Sequence, residues 1–300
     1  MNDTLWSADP PHTILLATDL GARSDRALDR AVWLARAWNA KLVVMTVIDA
    51  NAVEARRIVL RDPPAWYREQ DPQALAARHL LEDASAQDVP VEVRVEQGEA
   101  VERILAVAAQ IDAGLIVTGV ARYEALGRVA LGSTVDRLVR RSPRPVLVVR
   151  QRTRGGYRRM MAASDWSDSS REALRAATTL FPDLGVDLLH GLEVPRLGML
   201  DATRDAVLDT ALAQARADGE AFIAGCHPPG GASRITLLVE RGDPAVLLPL
   251  YAEQFPVDLA VVGTHGRSAL FDIVLGSTAL RLLEASPLDT LVVRDPRARS

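Results

Sequence analysis

Short apolar runs, many of them β-branched, recur along the chain, and most are followed by a longer segment in which apolar and polar positions repeat with a helical period. That alternation is the pattern of βαβ units and a parallel sheet. In the N-terminal half the runs fall at about 13–18, 41–48, 91–95, 114–119 and 145–150; in the C-terminal half they fall at about 158–163, 185–191, 233–239, 257–263 and 289–294. Leu115-Ile116-Val117 and Leu259-Ala260-Val261-Val262 are continuously apolar, as expected where helices cover both faces of a sheet, while other runs predict half-exposed strands. Ser24 and Ser167-Asp168 read as helix N-caps, and Ser133 and Ser277 as the caps of helices that end near Arg141 and Ala285, stopped by Pro143 and Pro287. The Pro- and Arg-rich segments 51–71 and 193–201 predict loops.

The pattern occurs twice. Gly119, Gly132-Ser133-Thr134, Ser142-Pro143 and Val148-Val149-Arg150 recur 144 positions later as Gly263, Gly276-Ser277-Thr278, Ser286-Pro287 and Val292-Val293-Arg294. Gly98-Glu99 recurs as Gly242-Asp243 at the same offset, and Ala17-Thr18-Asp19 recurs as Ala163-Ser164-Asp165 at 146. A period of that length is a domain, not a solenoid unit. The expectation is therefore an α/β chain of two tandem, doubly wound, five-stranded parallel-sheet domains, residues 1–150 and 157–300, with 151–156 as linker.

Composition narrows the chemistry. The mean hydropathy of +0.05 describes a soluble chain, no apolar run approaches the ~20 residues needed to cross a bilayer, and residues 1–5 lack the basic and apolar regions of a signal peptide; a cytoplasmic location is expected. Cys226 is the only cysteine, so neither an intrachain disulfide nor a cysteine zinc cluster can form, and it reads as a helix residue. A net charge of −4 argues against nucleic acid as partner. Lys41 is the only lysine, and it opens an apolar strand, so neither a Walker loop nor a Schiff-base lysine is at hand.

In an open parallel sheet, ligands bind outside the carboxyl ends of the strands, where strand order reverses. Each copy directs three segments there: the first strand ending at Asp19 or Asp165, the fourth ending at Gly119 or Gly263, and the last helix opening at Gly132-Ser133 or Gly276-Ser277. Glycines let backbone approach a phosphate, and a helix N-terminus supplies unpaired N–H groups, so an anion is the expected occupant.

The second copy reads Gly263-x2-Gly266-x9-Gly276-Ser277, and with that spacing the chain resembles the universal stress protein family, specifically its ATP-binding branch, over essentially its whole length. The resemblance implies a sheet order of 3-2-1-4-5 in each copy, of the adenine nucleotide alpha hydrolase-like kind, with the copies pairing through their fifth strands. It also implies a bound ATP, with Asp165 against adenine and ribose, Ala163 and Gly191 giving backbone contacts beside the base, and Val262, Gly263 and Gly266 passing ribose and phosphates. Gly276, Ser277 and Thr278 would cradle the phosphates, with Mg2+ or Mn2+ as a bridging cation. Where the family often carries Val after the second strand, this copy carries Gly191.

The first copy keeps Asp19, Val47, Gly119, Gly132, Ser133 and Thr134, but Arg122 stands where the second glycine should be. That residue either blocks the phosphate channel or pairs with a phosphate, and the backbone requirement favours a weakened first site. Other residues have plain readings too: Asp19 and Asp165 as turn or capping residues, His265 as a solvated loop histidine rather than a general base, Arg267 as a surface arginine rather than a phosphate partner. His190 reads as a satisfied core histidine, and Trp33 and Trp38 as core or domain-interface packing. Three functions remain: a stress-response protein that binds ATP and turns it over slowly or not at all, a slow ATPase or adenylate-forming relative, and an interaction protein whose glycine loops are relics. A homodimer and the identity of any protein partner are left open by the sequence.

Overall fold

Along the central strands the side chains alternate between two helix-covered faces, and both faces are apolar there, so the sheet is sandwiched. The computed structural model describes residues 10–21, 24–49, 71–85, 89–120, 131–192, 201–228, 231–264 and 275–295. The first half runs β1 (Thr13–Ala17), α1 (Asp25–Trp38), β2 (Lys41–Ile48), α2 (Pro72–Ser85), β3 (Val91–Gln97), α3 (Ala100–Gln110), β4 (Leu115–Gly119), α4 (Ser133–Arg141) and β5 (Val146–Val149). The second runs β6 (Arg159–Ala163), α5 (Asp168–Leu180), β7 (Gly185–Leu192), α6 (Asp201–Cys226), β8 (Ile235–Arg241), α7 (Pro244–Gln254), β9 (Leu259–Gly263), α8 (Ser277–Ala285) and β10 (Asp289–Val293), with a 3-10 turn at Ala232–Arg234. The ten predicted strands all form. Most of segments 51–71 and 193–201 lies outside the described residues.

The strands make one sheet in the order β3-β2-β1-β4-β5-β10-β9-β6-β7-β8, so each half follows 3-2-1-4-5. Pairing is parallel within each half, and β5 meets β10 antiparallel, with Leu147 opposite Leu291. Both strands are buried along their whole length, each satisfying the other's ladder groups. The outer strand β3 alternates Val91, Val93 and Val95 with Glu92, Arg94 and Glu96, the charged pattern that discourages further strand addition.

Ile14, Leu16, Leu42 and Val44 face a core beneath α1, α2, α5 and α6, while Leu15, Val43 and Met45 face a second core beneath α3, α4, α7 and α8. The internal repeat persists in the polar contacts. Glu99 caps α3 by accepting from Glu102 N (2.9 Å) and pairs with Arg137 of α4 (2.7 Å); Asp243 caps α7 by accepting from Ala245 N (3.0 Å) and pairs with Arg281 of α8.

The segment joining the halves is held at several points. The buried Asp289 carboxylate accepts from the backbone N–H groups of Arg150 (2.7 Å) and Gln151 (2.9 Å) and from the Tyr157 hydroxyl (2.7 Å), and it lies 3.4 Å from Arg30. Arg30 in turn donates to the Gly155 carbonyl (2.8 Å) and lies over the Tyr157 ring, 4.0 Å from its centroid. Burial, and then the adjacent Asp289 carboxylate, hold the Tyr157 hydroxyl well above the usual phenol range. Trp33 fills the space beside Gly156, where a Cβ would lie 2.6 Å from the indole, and Trp38 packs on Phe181 (5.5 Å). Both tryptophans of α1 thus pack against residues beyond β5.

Candidate functional site

Strand order reverses between β1 and β4 in the first half and between β6 and β9 in the second, and the predicted site residues gather at the carboxyl ends of these strands. Ala163 closes β6 beside Leu189 of β7, and Gly263 closes β9 beside Val293 of β10. At the end of each first strand the chain makes the same double turn. In the second half the Ser164 hydroxyl accepts from Trp166 N (3.1 Å) and Asp165 Oδ1 accepts from Ser167 N (3.1 Å); in the first half the Thr18 hydroxyl accepts from Leu20 N and Asp19 Oδ1 from Gly21 N, both at 3.0 Å. Trp166 (φ 65°) and Leu20 (φ 59°) are consequently left-handed, a conformation costly for bulky side chains and held here by the paired side-chain acceptors. Both aspartates therefore serve as turn residues, whatever else they bind.

The double turn delivers the chain into α5. Ser167 is its N-cap and accepts from Ser170 N (3.2 Å), and Ser164 and Ser170 hydroxyls meet at 2.9 Å. The first turn of α5 presses on the end of β9: a Cβ at Gly263 would lie 2.9 Å from the Ser169 carbonyl oxygen and hydroxyl. Gly263 is thus required by helix–strand packing as well as by its place in the loop.

Beyond Gly263 the buried Thr264 donates its N–H to the Val293 carbonyl (3.1 Å) and accepts at its own carbonyl from Gly276 N (2.8 Å). That last bond brings the residue after β9 to the start of α8. The caps of α4 and α8 are Gly132 and Gly276, not Ser133 and Ser277, which are the first helical residues. The expectation of serine caps fails because glycine takes the extended cap conformation (ψ 145° and 144°) and has no side chain to reach forward. Among the described residues no side chain caps either helix, which leaves the first-turn N–H groups of α8, beside the exposed Ser277 and Thr278, suited to an anion. His265, Gly266, Arg267 and Arg122 lie outside the described residues.

Gly191 has a packing reason of its own. A Cβ there would lie 2.5 Å from the Gly242 carbonyl oxygen and 2.6 Å from Cδ of Pro244, the first residue of α7. The first half has Ala100 where Pro244 stands, and Val47 where Gly191 stands. His190 is half-buried rather than buried: its ring stacks on Trp166 (4.5 Å between centroids, 17° apart), and its Nδ1 lies 2.8 Å from the Ser164 carbonyl oxygen. This stack beside Asp165 carries no signal in the sequence, because Trp166 and His190 lie on separate segments. Cys226, the last residue of α6, is buried, and desolvation pushes its thiol up to about 11, so it is not a reactive thiol at neutral pH.

A model of the universal stress protein family matches residues 11–150 and again 156–294. The chain belongs to the universal stress protein family. A universal stress protein of Mycolicibacterium smegmatis is 28% identical over 301 residues, 94% of this chain and 96% of its own length. Among solved structures, a functionally unknown protein of Pseudomonas aeruginosa has the same fold with a TM-score of 0.68 at 18% identity, covering 96% of this chain and 94% of its own. A universal stress protein of Archaeoglobus fulgidus follows at TM-score 0.59 and 17% identity, covering 94% of this chain and 98% of its own. The tandem arrangement is thus shared along the whole length of these relatives.

Two further facts limit the chemistry of this universal stress protein. Lys41 pairs with Glu92 at the amino end of β2, the opposite end of the strand from the site. Among the described residues no group of three or more His, Cys, Asp or Glu is placed to hold a metal ion, and no helix is long and apolar enough to cross a membrane.

Proposed function

We propose that this chain is a stress-response protein that holds an adenine nucleotide, ATP, chiefly in its second half and turns it over slowly or not at all. One observation carries the reading: the Gly276 N to Thr264 O bond brings the end of β9 against the N-terminus of α8, at the reversal point of the sheet. The residues present suit the nucleotide. Gly276 and the exposed Ser277 and Thr278 would receive phosphate oxygens, Gly263 and Gly266 would pass the ribose, and Asp165, with Ala163 and the Gly191 backbone, would meet the base and ribose. Hydroxyls are the only protein oxygens offered by that helix turn, so a divalent cation, Mg2+ or Mn2+, would be held chiefly by the phosphates. Slow turnover follows from the groups at hand: the backbone and hydroxyl donors would position the phosphates, but the single lysine is spent on Glu92 and, among the described residues, no side chain is set to activate water. The first half repeats the frame, with Asp19 in the same turn and Gly132 in the same cap, and Arg122 in the loop is the reason for placing the working site in the second half.

Protein purified without added ligand and analysed by mass spectrometry should release adenine nucleotide, and calorimetry should give one ATP per chain. Gly266→Arg should abolish that binding and Arg122→Gly should add a second site. Absence of nucleotide binding would favour an interaction protein, two ATP per wild-type chain would end the distinction between halves, and phosphate release at ~1 per second or faster would make the protein an ATPase.

A further inference from the structure

We propose that the cleft where the two halves join is a separate binding site for a compact polyphosphate anion. The cleft has a volume of about 980 Å3 and is lined by six arginines, Arg26, Arg30, Arg150, Arg152, Arg154 and Arg158. It is built from α1, the joining segment and the C-terminal end of α8, the opposite end of that helix from Gly276.

The acids of this region are fewer and mostly engaged. Asp289 is buried and surrounded by the Arg150 and Gln151 amides, Tyr157 and Arg30. Asp258 is gripped by both arms of Arg158, at 3.0 and 3.2 Å; burial alone would raise its carboxyl, but the hydrogen bonds from Arg158 outweigh it and hold the group below its usual range. Glu284 is the remaining acid of the lining. Against it stand Arg26, whose guanidinium donates to the neutral Arg150 carbonyl (2.7 Å), and the exposed Arg152 and Arg154. Among the described residues no carboxylate lies within ion-pair distance of these three.

The backbone that carries Arg152 and Arg154 is already fixed. Asp289 holds Gln151, Arg30 holds Gly155, and Trp33 leaves no room for a side chain at Gly156. Little ordering is therefore needed when an anion binds, and guanidinium forks match phosphate oxygens two at a time. The occupant has no aromatic base to recognise: the one ring in the lining, Tyr157, is buried beneath Arg30. A long nucleic acid would also meet a chain whose net charge is −4. The cleft thus selects a short, highly charged anion.

The test is calorimetric titration of inorganic triphosphate into the full chain at low and raised salt. We expect one site that weakens with salt, and a roughly tenfold or greater loss in the double variant Arg152→Ala/Arg154→Ala, with a matching loss in Arg154→Glu. Both residues are exposed, so the melting temperature should not move. Arg78→Ala, an exposed arginine of α2, should bind like wild type. Gly266→Arg separates this proposal from the nucleotide reading: retained triphosphate binding supports the cleft, while loss of binding there assigns the anion to the glycine loop and overturns it. It is equally overturned by absence of binding to wild type, by unchanged binding in the arginine variants, or by tighter capture of a glutamate-rich peptide than of triphosphate.

Discussion

Asp289 has no exposure to solvent, yet three hydrogen-bond donors converge on it, two backbone amides and the Tyr157 hydroxyl, with Arg30 as an ion-pair neighbour at 3.4 Å. Removing it leaves those donors buried without an acceptor and Arg30 without its counter-charge. Asp289→Ala should therefore cost about 3–5 kcal/mol in urea or thermal unfolding; a loss under about 1 kcal/mol would show that water replaces the carboxylate. The same cluster sets an alkaline limit. Tyr157 is raised in the folded chain, so its contribution is fully present below the unfolded phenol value of about 10 and declines as pH rises above it. Tyr157→Phe should be less stable at neutral pH and lose less stability between about pH 9 and pH 11 than wild type, a difference visible in unfolding curves at each pH. None of this could be read in the sequence, because Asp289 and Arg150 are 139 positions apart and a lone aspartate opening a strand carries no periodic signal.

At the scale of elements, the sequence was most informative where the pattern is local. Apolar runs marked the ten strands, and the repeat marked equivalent positions, because the central strands are buried on both faces and tolerate little else, while β3 and β8 keep an alternating pattern. The frame of the candidate site was legible as an arrangement of turns and glycines, since Asp165 follows β6, Gly263 ends β9 and Gly276 caps the start of α8. What was not legible is why each residue is there. Gly263 yields to Ser169 of α5, and Gly191 yields to Pro244 of α7, contacts between segments far apart in the chain. Gly191→Val should thus destabilise the fold by about 1–3 kcal/mol, and Pro244→Ala in the same chain should recover only part of that loss, since the Gly242 carbonyl remains in the way. A neutral Gly191→Val in thermal melts would show that the α7 start moves freely. The serine caps were misread for a related reason: spacing located the helix start to within one residue, but only geometry distinguishes cap from first turn.

On the scale of the whole molecule, the antiparallel β5–β10 ladder decides how the halves depend on each other. A chain of residues 157–300 alone would expose β10, a wholly buried strand of five residues. It should self-associate through that edge and elute as a dimer in size-exclusion chromatography with light scattering; a stable monomer would mean that the ladder is dispensable. The ladder has another consequence. Because all strands of one half run opposite to those of the other, the two reversal points open on opposite edges of the sheet. Ligands at the two reversal points would therefore lie at opposite ends of the strands. Fusion of the two copies also fixes them at equal numbers, whatever the concentration in the cell. The chain is in effect a dimer of two unlike halves made from a single message, in which the sequence of one half can change without changing the other.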